Sequence, residues 1–110
     1  MGEAGVHEVQ VHGCASTREA LAWQEPIALL LCPEPEHRGP CEVPWTCTVR
    51  DTGTGVCLVV AIIASAEVAE RVAERVRGLT GREVVLRRGA AAEHEVLVEQ
   101  YRVERGGLPG

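Results

Sequence analysis

"VCLVVAIIASAEVAERVAERVRGLTG", Val56 to Gly81, is the stretch that decides the class of fold. It opens on an unbroken apolar run rich in β-branched side chains, the pattern of a strand buried on both faces. At Ser65 the period changes. Val68, Val72, Val76 and Leu79 recur at helical spacing along one stripe, and Glu67 stands four residues before Arg71, a favourable surface pair. Ser65 is placed to cap this helix and Gly78 to end it in the left-handed conformation. An apolar strand that runs straight into a one-sided helix calls for a sheet with a helical layer on it.

The flanking segments extend that plan. "DTGTG" (51–55) supplies the glycines of a hairpin turn, with "TCTVR" (46–50) as the strand before it. "VHEVQVHG" (6–13) alternates around Val9 and Val11 and predicts a first strand. Ser16 and Glu19 have the spacing of a capping box, so a short helix begins there and Pro26 ends it. "PIALLLC" (26–32) is a continuous apolar run of strand length. "REVVLRR" (82–88) predicts a strand. "HEVLVEQYRVE" (94–104), where Val96 and Val98 alternate with polar residues, predicts another with one wet face. The order is strand, helix, strand, strand, strand, helix, strand, strand. It implies an α+β sandwich, a mainly antiparallel sheet with two helices on one face, in a ferredoxin-like arrangement with an extra strand. The 110 residues suit one domain, with 1–5 and 106–110 as loose termini.

Composition narrows the partners. The chain has no Phe, and its aromatic residues are Trp23, Trp45 and Tyr101, so Val, Leu, Ile and Ala must build the core. A net charge of −5 argues against nucleic acid, whose binding rests on neutralising phosphates. The apolar run 56–66 is far short of the ~20 residues that span a bilayer, and the N-terminus has no secretory pattern. A cytoplasmic location is the expectation, with thiols kept reduced.

Five cysteines then need a role. In "LLLCPEPEHRGPCEVPWTC" (29–47), Cys32, His37 and Cys41 sit on one proline-rich loop, and Pro33, Pro35, Pro40 and Pro44 lower the entropy lost on ordering it. If 6–13 and 26–32 are parallel strands joined by a crossover, their C-terminal ends share one edge of the sheet. That edge gathers His12, Cys14 and Cys32 with the loop. Zinc takes thiolate and imidazole in a tetrahedral shell, so the expected site holds one zinc ion through Cys14, Cys32, His37 and Cys41, with His12 as the alternate. Its role is structural, sensing or accessory. Cys57, among aliphatics, and Cys47 are read as packing, and His7 and His94 as surface histidines.

Two other readings remain open at this point. One is a non-enzymatic interaction module, dimeric through a sheet edge or face, with its cysteines simply buried. The other is thiol-based redox or nucleophilic activity at Cys14, just before a helix cap that can lower a thiol pKa. No CxxC pair, triad or acid–base pair is present, which disfavours an enzyme. "VHGCAST" (11–17), strand into helix, resembles the metal loop of heavy-metal-associated ferredoxin-like domains. It differs in having Thr17 where those have a second cysteine and no Met before Cys14.

Overall fold

The computed structural model describes residues 4–31 and 44–105. Its elements are β1 (Gly5–Cys14), α1 (Thr17–Ala22), α2 (Gln24–Leu31), β2 (Trp45–Asp51), β3 (Val56–Ala64), α3 (Ala66–Thr80), β4 (Val84–Arg88), a 3-10 turn (Ala91–His94) and α4 (Glu95–Arg105). The strands form one sheet in the order β2-β3-β1-β4, and every neighbouring pair is antiparallel. The α+β class and the antiparallel sheet are as expected.

The stretch that sets the class folds as strand then helix, with two shifts. Ala69, Ala73 and Val76 form the buried face of α3, while Val68 and Val72 are partly buried and Leu79 is exposed. Ser65 caps α3 by accepting a hydrogen bond from the Val68 N–H at 3.3 Å. The helix runs past Gly78, however, and ends at Gly81, whose φ of 64° is left-handed and whose N–H donates to the Arg77 carbonyl at 2.9 Å. Gly78 is an interior helical glycine, tolerated at a cost of about 1 kcal/mol relative to alanine. The hairpin turn forms as expected, with Gly53 at φ 86° and its N–H donating to Asp51 Oδ1 at 2.7 Å.

Two expected strands are helices. Residues 26–31 belong to α2, and Pro26 lies in its first turn, where a missing N–H breaks no helical bond. Leu and Ala dominate this run, and both are strong helix formers. Ile27 and Leu31, one turn apart, are buried while Leu29 is exposed, so the run is one-sided after all. Residues 95–105 form α4, where Leu97, Val98 and Tyr101 share an inner face at helical spacing and Val96 and Val103 point outward, each 78% exposed.

The helices therefore lie on both faces of the sheet: α1–α2 and α3 share one face, as expected of two helical segments, and α4 adds cover on the other. On one face Val9, Val11, Leu58, Val60 and Ile62 pack against Ala20, Ile27 and Leu31 of α1–α2 and Ala69, Ala73 and Val76 of α3. Strand alternation turns Val6, Ala61 and Ile63 to the other face, where Leu97 and Val98 of α4 cover them. Glu8, Gln10 and His12 share that second face with Val6.

Candidate metal centre

β1 is a central strand, so polar residues in its middle are sealed from water by what packs on them. Glu8 is 2% exposed and must find internal partners. Gln10 Nε2 donates to Glu8 Oε1 at 2.8 Å, and an Arg50 guanidinium nitrogen lies 3.7 Å from the same oxygen. The other oxygen, Oε2, is 2.8 Å from Nε2 of His94. His94 reaches it because Gly89 lets the chain leave β4 close over β1, with the Gly89 N–H donating to the Val6 carbonyl at 2.9 Å. A Cβ at Gly89 would stand 2.8 Å from Val6 Cγ1 and 3.4 Å from both Glu8 Cγ and His94 Cδ2.

These contacts fix hydrogen positions by elimination. An ionised Glu8 only accepts, so Gln10 presents its amide nitrogen to Glu8 and its oxygen to His12. His12 Nε2, 3.1 Å from Gln10 Oε1, must then carry a hydrogen, as must His94 Nε2. The Cys57 thiol lies 3.9 Å from the same His12 nitrogen, and an N–H cannot take a proton from it. Burial, first of all, raises the Cys57 pKa; Arg50 opposes this, and Cys14 and Glu8 add to it. The arrangement does not activate Cys57.

Glu8 behaves differently. Burial is the largest influence and would raise its pKa, but hydrogen bonds from His94 and Gln10, with the charges of Arg50 and His94, outweigh it and hold the carboxyl below its ordinary range. Its charged form is thus favoured inside the protein. Glu93, exposed on the 3-10 turn, completes a cluster: one donor atom each from Glu8, Glu93 and His94 lies within 4.8 Å of the others. Two carboxylates and one imidazole converge there. Glu8 Oε1 is tied by Gln10 and Arg50, so its Oε2 is left facing the group, the way outer partners orient a metal-binding carboxylate.

Of the expected ligands, His12 is half-buried on this second face and hydrogen-bonded to Gln10. Cys14 is 1% exposed in the apolar cluster of the opposite face, and its pKa is raised by burial and then by Glu19, with Arg82 opposing. A nucleophile at a helix N-terminus needs the reverse. Cys32, His37 and Cys41 lie outside the described residues. Pro44, which follows their segment, accepts a hydrogen bond from Ile63 N–H, whereas Cys14 pairs with Val56 at the far end of β3. Those two points are about 23 Å apart at ~3.3 Å per strand residue. The strand expected over 26–32 would have joined β1 at one shared edge, and that edge does not form because the run is α2.

His7 and His94, read as surface histidines, are both buried. A strand over 94–104 gives no reason to pair Glu8 with His94; the helix does. The signal available was Glu8, Gln10 and His12 at every second position of a strand, a polar row that a central strand must satisfy internally. Cys57 is buried as expected, and burial lifts the half-buried Cys47 thiol to about 11. Comparison with protein-family models, with curated proteins and with solved structures found no significant match.

Proposed function

We propose that the chain is a small metal-binding protein that holds one divalent cation, zinc foremost, between β1 and the turn before α4. The protein ligands are Glu8 Oε2, His94 Nε2 and a carboxylate oxygen of Glu93. The observation that carries this reading is the convergence of these donors within 4.8 Å around a buried, ionised carboxylate. An imidazole with two carboxylates suits zinc or a similar borderline ion, while magnesium and calcium call for more oxygen ligands than the cluster offers. Bonds of ~2.0–2.2 Å in a tetrahedral shell need the His94 and Glu8 donors to part by about half an ångström from their hydrogen-bonded spacing. Three protein ligands leave one position for water. For the fold, the ferredoxin-like description is supported by the strand order, in which β3 lies between the parallel pair β1 and β2 and β4 flanks β1.

Zinc titration by calorimetry and elemental analysis test the site. About one zinc per chain is expected. His94→Ala and Glu93→Gln should each weaken binding at least about tenfold, since loss of an outer partner alone has that effect. Glu93 is exposed, so its variant keeps the test clear of misfolding. Unchanged affinity in both variants would return the site to the cysteine and histidine set.

A second reading rests on α4. Val96 and Val103, two turns apart and outward, leave an apolar ridge that a second copy of the chain could cover. Sedimentation velocity should then show a dimer that Val96→Glu dissociates, and a monomer at all concentrations would remove this reading.

A further inference from the structure

The proposed ligands come from two separate units. Glu8 belongs to the middle of the sheet, while Glu93 and His94 sit on the turn that leads into α4. α4 itself rests on a small apolar patch, with Leu97 and Val98 on Val6, Ala61 and Ile63. Its opposite side, at Val96 and Val103, faces outward. The helix thus covers one face of the sheet, and the chain that leads to it crosses close over β1 at Gly89. Among the described residues, the larger core beneath α1–α3 contains none from α4.

We propose that the ion is the fastening of this cover, an inference that rests on the metal reading above. Binding to Glu8 and to the turn at once requires α4 to be seated, so the ion binds the closed state and not the open one. By linkage, it then shifts the seating equilibrium by the factor 1 + [ion]/Kd. Without the ion, the His94–Glu8 hydrogen bond and the apolar contacts contribute to holding the seat. With the ion, His94 Nε2 gives up its hydrogen. A neutral ring transfers it to Nδ1 through water, and an imidazolium releases it to solvent. Loss of the ion loosens α4 and uncovers Val6, Ala61 and Ile63, an apolar surface on a sheet face. The metal site therefore acts as a sensor whose output is that surface.

Amide hydrogen exchange of the full chain, read by mass spectrometry with and without zinc ion, tests this alongside the calorimetric titration. In ion-free protein the α4 amides should exchange faster than those of α3 around Ala69, Ala73 and Val76, because the cover opens separately. Zinc at a hundred times its Kd should slow α4 exchange about 100-fold. Val98→Ala, remote from the donors in its chemistry, should speed ion-free exchange of α4, and zinc should reverse the effect. If zinc binds and α4 exchange is unchanged, the fastening is overturned and the metal reading stands. If ion-free α4 is as protected as α3, the fastening is likewise overturned. If no zinc binds, both fall.

Discussion

Glu8 and His7 are neighbours on β1 that face opposite sides of the sheet, and acid acts on them in different windows. For His7, burial first and Arg88 second lower the pKa from its ordinary 6.5, while a backbone hydrogen bond with Ala64 opposes them. The unfolded chain takes up that proton first, so stability falls as pH drops below about 6.5 towards the folded value. For Glu8 the pKa lies below its ordinary 4.5, so its contribution is complete above about that pH and is lost as pH falls through the folded value. Urea midpoints measured against pH should decline in these two windows. His7→Gln should flatten the upper decline and leave the lower, and Glu8→Gln should do the reverse. Glu8→Ala is harsher, because Gln10, His94 and Arg50 lose their shared acceptor. A loss of about 3–5 kcal/mol is expected, as for one partner removed from a buried pair.

At the scale of elements, β1, β3 and α3 were legible because each carries one unmixed signal. β3 is apolar throughout, and the α3 stripe has a helical period. α2 and α4 were not legible. In 26–31 every residue after Pro26 is apolar, so no period could show, and only the burial of Ile27 and Leu31 against the exposure of Leu29 reveals a helix. In 95–105 the valines at 96 and 98 imitate strand alternation, while the true inner face is Leu97, Val98 and Tyr101. The two assignments make opposite demands on adjacent residues. A strand buries Val96 and exposes Leu97, whereas α4 does the reverse. Leu97→Ala should therefore cost about 2–5 kcal/mol in urea unfolding, and Val96→Ala should stay within about 0.5 kcal/mol. The opposite ranking would restore the strand.

Across the whole molecule, the position of the candidate site follows from α4. With 94–104 as a strand, the second face of the sheet has no cover, and nothing calls for a buried donor beside Glu8. With α4 in place, that face becomes a second small core, and Glu8 and His94 meet within it. The expectation of one bound ion carries over as a proposal, but the ligands now proposed are oxygen and nitrogen rather than sulfur. Cys14 and Cys57 are both buried, with pKa values raised by that burial. No helix among the described residues is long and apolar enough to cross a membrane. X-ray absorption at the zinc edge, on protein loaded with one equivalent of zinc, reads the donor atoms themselves. The account predicts a shell of nitrogen and oxygen alone at about 2.0–2.2 Å, and a sulfur shell near 2.3 Å would contradict it.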